Sequence, residues 1–157
     1  MTQEELLSEL ESAKKRAAQA ESMAEKYANQ VWALKASEER YRHIVENSNS
    51  IMLVMDTRGN ILFLNQFALR FFGYYEKDII GQNVIGTIVS EKDLSGKDLV
   101  QMIKDIVENP ERHSVNENEN VRRNGERVKV LWTNKAIVDD NGKIKEILCI
   151  GNAAKIS

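Results

Sequence analysis

The heptad pattern of the first 38 residues constrains the fold more than any other feature of the chain. With Leu6 placed at heptad position d, every a and d position through Leu34 is apolar or aromatic. No glycine or proline occurs before Gly59, so nothing in this stretch breaks a helix. About four consecutive heptads of this kind are typical of a coiled coil. We therefore expect residues 1–38 to form a long N-terminal coiled-coil helix.

Charged residues beside the heptad seam favour a parallel dimer. Glu9 at position g precedes Lys14 at the next e position, and Arg16 precedes Glu21 in the same way. Both pairs carry opposite charges, which suits two parallel helices in register. A single solvated helix remains the alternative, because the alanines among the a and d positions bury little area. The predicted dimer contacts are the larger residues of the seam and of the apolar stripe that follows it: Leu6, Leu10, Tyr27, Val31, Leu34, Tyr41 and Ile44.

The heptad pattern ends at Glu38, and short strands and helices are predicted from there on. The apolar run 51–55 and a second strand at residues 61–65 flank a segment of turn-forming residues, which predicts a hairpin. Three more strands are predicted near the C-terminus, where Asn-Gly turns separate them. They cover residues 113–123, 128–138 and 143–152, of which the first is polar and is expected to be exposed.

Three helical segments are predicted between the hairpin and the last three strands. Residues 66–72 carry phenylalanines at helical spacing, and residues 75–80 form a single turn. The third and longest helix begins at Ser95 and Asp98, which resemble a capping box, and ends before Pro110. This order places the chain in the α+β class, with a five-stranded antiparallel sheet and helices on one face.

The last two predicted strands carry apolar residues on both of their faces. Leu131 and Ile137, for example, lie opposite the larger apolar set of their strand. An antiparallel sheet with one solvated face would alternate cleanly between apolar and polar residues. We therefore expect a cover over the outer face as well, which Tyr41, Ile44 and Val45 would supply alone or with a partner subunit.

Six stretches of the second part match a known family pattern in order and spacing. One is Phe72-Gly-Tyr-Tyr-Glu-Lys-Asp-Ile-Ile-Gly81, and another is the turn into the first short helix at Leu64-Asn-Gln-Phe-Ala68. Together they resemble a PAS domain over residues 39 to about 152. The resemblance implies a PAS fold and a sensory domain at residues 39–157, preceded by a signalling helix at residues 1–38. The six stretches are residues 39–48, 55–61, 64–68, 72–81, 117–126 and 131–137.

The resemblance also implies a ligand site between the sheet and the central helices. Ordinary core packing is the alternative for the same side chains. A closed pocket needs a few polar groups that point into it, and Asn134 is the clearest candidate. The candidate lining residues are Phe67, Phe71, Met102, Ile103, Ile106, Trp132 and Asn134.

The cofactor remains unknown, and we expect that none is bound. Haem-binding members of the family place a histidine on the long central helix, whereas residues 91–108 contain none. Light-sensing members carry a reactive cysteine in a helix between the second and third strands. The single cysteine here, Cys149, lies in the last strand. A non-covalent flavin beside Trp132 and Asn134 is left open.

Composition and motifs disfavour several other classes of protein. A net charge of −2 gives no basic patch of the size that nucleic acid requires. The longest apolar runs are too short to span a bilayer, and the N-terminus lacks the pattern of a signal peptide. A single cysteine excludes an internal disulfide and a cysteine-based zinc site. Without a catalytic motif or metal signature, we expect a cytoplasmic protein that is not an enzyme.

The resemblance to PAS domains implies signal transduction by a sensory module. A small ligand or a partner would be sensed by the PAS domain, and the signal would pass through the dimeric coiled-coil helix to an effector. The expected effector is a histidine kinase of a two-component system or a diguanylate cyclase. The alternative is a ligand-free PAS adaptor that serves dimerisation or protein interaction.

Overall fold

The N-terminal helix α1 spans Gln3–Glu46 without interruption in a computed structural model of the protein, which describes residues 1–154. Thr2 and Glu5 close a reciprocal capping box at its start, since each side chain accepts a hydrogen bond from the other's backbone N–H. None of the residues of α1 is buried. The predicted long helix is confirmed. It continues past residue 38, because the loss of the heptad pattern there involves no helix-breaking residue.

Contacts divide the chain into two units, Met1–Ile44 and a second unit that begins at Val45. The boundary predicted from the heptad pattern lies at residue 38. The predicted boundary is the residue at which the heptad pattern ends, whereas the contact boundary lies between Ile44 and Val45, in the last turn of α1.

The second unit is built on a five-stranded antiparallel sheet with the order β2-β1-β5-β4-β3. Its first and last strands along the chain pair with each other, so that Leu53 faces Cys149 in the register. The number and direction of the strands agree with the prediction. The strands are β1 Ile51–Asp56, β2 Ile61–Leu64, β3 Val115–Val121, β4 Arg127–Val138 and β5 Ile144–Ala153.

Three helices connect β2 to β3. They are α2 Gln66–Phe72, α3 Glu76–Ile79 and α4 Leu99–Glu108. The predicted start of α4 needs one correction, because the cap is Asp98 alone, whose carboxylate accepts from the backbone N–H of Gln101 at 3.0 Å. Ser95 lies in the preceding turn and hydrogen-bonds to Asp93 instead.

The hydrophobic core lies between the helices and the inner face of the sheet. Alternate residues of β1 point into it, as the period of two in a strand requires. The helices contribute one buried face each, and the irregular segment between α3 and α4 adds further apolar side chains. The fully buried members include Ile51, Met55, Ile61, Phe72, Ile79, Val84, Ile88, Leu99, Val130 and Ile147.

The outer face of the sheet remains exposed. Leu131 and Ile137 keep 46% and 38% of their surface in solvent. Tyr41 and Ile44, in the first unit, are 65% and 59% exposed. The predicted cover over this face stays a prediction.

Asn65 organises the passage from β2 into α2. Its Oδ1 accepts from the backbone N–H groups of Met52 and Ala68, and the bond to Ala68 caps α2. Its Nδ2 donates to the carbonyl oxygens of Val45 and Ser50, at 3.0 Å each. The side chain is completely buried, so these four bonds satisfy its two acceptor sites and both of its N–H donors.

Candidate functional site

A small cavity lies between the inner face of the sheet and α4. Its volume is about 30 Å³, which is room for one or two water molecules, since roughly 10–15 Å³ suffices for one. Apolar side chains form most of its wall, and none of the described residues that line it is charged. The lining residues are Leu53, Met55, Val84, Ile88, Val89, Ile103, Ile106, Asn118, Asn120, Trp132, Asn134 and Cys149.

Four of the seven candidate pocket residues meet at this cavity. Ile103 and Ile106 face it from α4, while Trp132 and Asn134 face it from β4. Trp132 and Asn134 are two residues apart in one strand, so both side chains point to the inner face of the sheet. The structure brings these four together as lining residues, and ordinary core packing accounts equally well for their burial.

The other three candidates do not line the cavity. Phe67 and Phe71 stack on each other with ring centroids 6.2 Å apart, on a face of α2 that stays partly exposed. The inner face of α2 is formed instead by Ala68 and Phe72, which are fully buried. Met102 is buried in the core without lining the cavity. These three residues are therefore not brought together with the other four, and their role in ligand binding stays a prediction.

Asparagines on β3 were missed as site residues. Asn118 and Asn120 are buried, although their polar strand was predicted to be exposed. With Asn116 they repeat at every second position, which puts all three on one face of the strand. That spacing was the available signal, and it was outweighed by the general preference of asparagine for the surface.

The buried asparagines form one continuous chain of hydrogen bonds across the inner face. The indole N–H of Trp132 donates to Asn120 Oδ1 at 3.0 Å, and Asn118 Nδ2 donates to the same oxygen at 3.1 Å. Asn116 Nδ2 donates to Asn118 Oδ1 at 2.7 Å, and Asn134 Nδ2 donates to Asn116 Oδ1. Mutual pairing of this kind allows the amides of Asn118, Asn120 and Asn134 to be buried beside the half-buried Asn116.

Groups at both ends fix the direction of this chain. An indole N–H can only donate, so the Asn120 atom beside Trp132 must be the oxygen. A backbone carbonyl can only accept. The carbonyl of Ile88 accepts from Asn120 Nδ2 at 3.1 Å, and the carbonyl of His113 accepts from Asn134 Nδ2 at 2.8 Å. An amide flip at any one position would therefore set two donors or two acceptors against each other.

Gly151 gives Trp132 the space to lie across β5. A β-carbon at position 151 would come within 2.8 Å of the Trp132 ring and of Val130 Cγ1. Contacts this close are not tolerated in packed interiors, so the indole can occupy this position only beside a glycine. Position 151 therefore helps to hold the indole in place at the cavity wall.

Cys149 contributes a buried thiol to the cavity wall. Burial raises its pKa from 9.0 to about 12. A thiol held protonated in this way is a poor nucleophile and a poor metal ligand. It acts here as a small apolar side chain, as a buried cysteine commonly does.

The cavity does not fit a flavin or a haem in this conformation. Pockets for ligands of that size measure several hundred Å³, which is about ten times the volume between the sheet and α4. Among residues 1–154, no group of three or more histidine, cysteine, aspartate or glutamate side chains is placed to hold a metal ion.

Comparisons with known proteins place the chain in a family. A family model described as the PAS fold matches residues 39–153, which is most of the chain. The chain belongs to the PAS family. PAS domains are in general sensory and signalling modules, so the second unit is a module of that kind. A search of curated proteins found no match.

Solved PAS domains share the fold over most of this chain. That of an HTR-like protein from Haloarcula marismortui is 20% identical, with a TM-score of 0.62 over 80% of this chain and 98% of that one. That of a Colwellia psychrerythraea protein is 17% identical, with a TM-score of 0.62 over 76% and 97%. The PAS domain of the Cronobacter turicensis quorum-sensing receptor RpfR, solved in complex with C12:0, is 26% identical, with a TM-score of 0.53 over 71% and 99%.

The predicted dimer contacts on α1 are exposed in the single chain. Leu10 and Val31, at two a positions of the seam, keep about half of their surface in solvent, 50% and 51%. The d residues Leu6, Tyr27 and Leu34 are exposed to a similar extent. No helix within residues 1–154 has the length and apolar character that crossing a membrane requires.

Proposed function

We propose that this protein is a sensory PAS module that acts as a parallel homodimer and signals through α1 to an effector. The effector we propose is a histidine kinase or a diguanylate cyclase, and the setting is the cytoplasm. The role is regulatory rather than catalytic. The observation that carries the proposal is the long helix α1, whose heptad residues are exposed in the single chain.

The occupant proposed for the seam of α1 is a second copy of the same helix. Long helices in water obtain most of their stability from packing of an apolar face, and none of the residues of α1 is buried. A second copy in register would cover Leu10 with Leu10 and Val31 with Val31. It would also place Glu9 beside Lys14 of the partner subunit, a pair of opposite charges.

Sedimentation equilibrium of the whole chain tests the dimer. Replacing Leu10 and Val31 together by aspartate puts like charges face to face across the seam, and we expect the dimer to dissociate. Ser8→Asp with Trp32→Asp is the matched control, because positions f and b lie outside the seam and gain the same charge. A dimer that survives the first pair of substitutions would contradict the role of α1.

A cysteine cross-link tests the parallel, in-register arrangement. Ala13→Cys at a d position should form a disulfide-linked dimer under mild oxidation, because the two copies of residue 13 would meet. The native cysteine is buried and should not react. In an antiparallel pair a d residue faces an a residue of the other helix, so the two copies of residue 13 would not meet. The absence of a cross-link at position 13 would therefore contradict the parallel dimer.

The ligand-free adaptor is the second candidate, and the size of the cavity favours it. RpfR is a relative whose PAS domain was solved with C12:0. In this chain a twelve-carbon acid would have to displace Ile103 and Ile106 of α4, because the cavity has only about 30 Å³. No cation lines that cavity among the described residues, so a carboxylate would lack a charged partner there.

Native mass spectrometry and thermal unfolding with dodecanoic acid and with FMN distinguish the two candidates. A ligand at a hundredfold excess over its dissociation constant stabilises the folded state by about 2.7 kcal/mol, which is readily seen as a raised midpoint. Trp132 reports on the cavity when Trp32→Phe removes the only other tryptophan. A raised midpoint together with changed Trp132 fluorescence would support a ligand sensor, whereas ligand-free protein and unchanged spectra would support the adaptor.

A further inference from the structure

A second concave surface, which we call the arginine groove, lies outside the core where α2 meets the β3–β4 turn. The backbone N–H of Arg123 donates to the carbonyl of Phe72 at 2.8 Å and joins the two segments. Two adjoining concavities of about 250 and 340 Å³ share the residues Arg70, Phe71 and Arg122. The groove is defined by Phe67, Arg70, Phe71, Phe72, Gly73, Arg122, Arg123 and Asn124.

The smaller concavity has flat walls. Its lining residues are Phe67, Arg70, Phe71 and Arg122. The Arg122 guanidinium lies 4.6 Å from the centre of the Phe71 ring, and Phe67 stacks against that ring from the same helix. Aromatic rings and guanidinium planes are protein surfaces on which nucleobases stack.

The lining of the larger concavity is rich in arginine. Arg70, Arg122 and Arg123 line it, and no carboxylate of the described residues does. This clustering occurs in a chain whose net charge is −2. Arginine side chains are suited to binding phosphate, because each guanidinium presents donors in a planar fork.

The arginines of the groove have N–H donors that are not used in hydrogen bonds within the protein. Within residues 1–154, Arg70 makes no ion pair or side-chain hydrogen bond. Arg122 bonds to Glu126 through one terminal nitrogen, and its Nε is buried without a partner. Arg123 reaches Asp78 only at 3.5 Å. Buried N–H groups without a partner are rare in folded proteins, so the Nε of Arg122 is a donor that a ligand in the groove would satisfy.

We propose that the arginine groove binds a mononucleotide, with its base in the smaller concavity and its phosphate in the larger one. The base stacks against Phe67 and the Arg122 plane. The phosphate lies between Arg70 and Arg122. This site is separate from the interior cavity, and its occupancy does not depend on the function proposed above.

Titration of the ¹⁵N-labelled full chain with AMP tests the proposal, with adenosine and inorganic phosphate as separate arms. We expect saturable shifts at the amides of Gly73 and Arg123, and weaker binding of either half alone. Arg70→Gln should weaken AMP binding roughly tenfold or more, as loss of a charge-assisted hydrogen bond does. The matched control is Arg112→Gln, which removes an exposed arginine outside the groove and should leave the affinity unchanged.

The stacking half of the proposal has its own pair of variants. Phe67→Leu should weaken AMP about fivefold or more and leave inorganic phosphate unaffected, because a base contributes by stacking. Phe63→Leu, at a partly exposed phenylalanine on β2, should change neither. Affinity for AMP that is unchanged in Arg70→Gln, or shifts that map to the interior cavity, would overturn the site. Phosphate that binds as tightly as AMP would overturn the stacking assignment.

Discussion

The side chain of Asn65 provides the sharpest test of how this fold is held together. Asn65→Ala removes four hydrogen bonds at once, to Met52, Ala68, Val45 and Ser50. Loss of the helix cap at Ala68 costs about 1 kcal/mol. Each of the other three backbone groups loses its partner in a part-buried setting, at about 1 kcal/mol apiece. The expected total is about 4 kcal/mol, a large fraction of the 5–15 kcal/mol that is typical of a domain.

Urea unfolding, followed by Trp132 fluorescence in a Trp32→Phe background, measures this loss. The slope of free energy against urea should stay constant, since the surface exposed on unfolding is unchanged. Asn141→Ala is the matched control, because that side chain lies exposed in the β4–β5 turn and should cost less than about 0.5 kcal/mol.

Asn65→Asp separates hydrogen bonding from packing at the same position. The carboxylate keeps both acceptor bonds and has nearly the shape of the amide, but it presents an oxygen to the carbonyls of Val45 and Ser50. At neutral pH we expect it to be at least as destabilising as alanine. An aspartate variant as stable as the wild type, or an alanine variant that loses less than about 1 kcal/mol, would refute the account.

Three further predictions concern other parts of the domain. Gly151→Ala should destabilise by about 1–3 kcal/mol, because its β-carbon would overlap the Trp132 ring, and urea unfolding measures it. Above pH 9 the unfolded chain loses the proton of Cys149 while the folded chain keeps it up to about pH 12. The unfolding free energy should therefore fall by up to about 1.4 kcal/mol per pH unit in that window, and Cys149→Ala should remove this part of the slope. Partial burial alone would raise the pKa of Asp56, but hydrogen bonds from Asn60 and Arg58 outweigh it and hold that pKa below its usual value. At pH values above the pKa of an unfolded aspartate, Asp56 therefore stabilises the folded state, and this stabilisation is lost as the pH falls. In Asp56→Ala the free energy of unfolding should fall less steeply as the pH is lowered.

Local signals in the sequence account for most of the fold. Asn65 before an apolar helix and Gly73 after it mark both ends of α2, since one caps the N-terminus and the other adopts the left-handed conformation, with φ of 81°. Turn residues likewise separate the strands. These signals act within a few residues, so a single sequence carries them in full.

The cavity was harder to predict, because its lining depends on which of two neighbouring residues turns inward. Phe71 and Phe72 are both aromatic, and two pairs at helical spacing, Phe67 with Phe71 and Ala68 with Phe72, were equally possible inner faces. The second pair is the one that contacts the core, where Ala68 and Phe72 are both fully buried. That contact joins residues distant along the chain, and so helical periodicity alone could not reveal it.

The asparagines of β3 illustrate a second limit of the sequence. A polar strand is ordinarily a solvated strand, and Asn118 or Asn120 alone would be costly to bury. Their burial becomes favourable only through partners on β4 and at Ile88, which supply the remaining hydrogen bonds. The asparagines that are costly to bury thus lie on one segment of the chain, and the groups that satisfy their hydrogen bonds lie on others.

The last turn of α1 joins these local and distant interactions. The carbonyl of Val45 accepts from Asn65, and the carboxylate of Glu46 accepts from the backbone N–H of Gln66 at 2.8 Å. Both partners belong to the segment that starts α2, so a displacement of α2 must either move Val45 and Glu46 or break these bonds. Since Val45 and Glu46 belong to the same unbroken helix as the heptads, a displacement there can pass along the hydrogen-bonded backbone of α1. If α1 carries a signal as proposed, the bonds around Asn65 are the physical connection through which the PAS core would act on it.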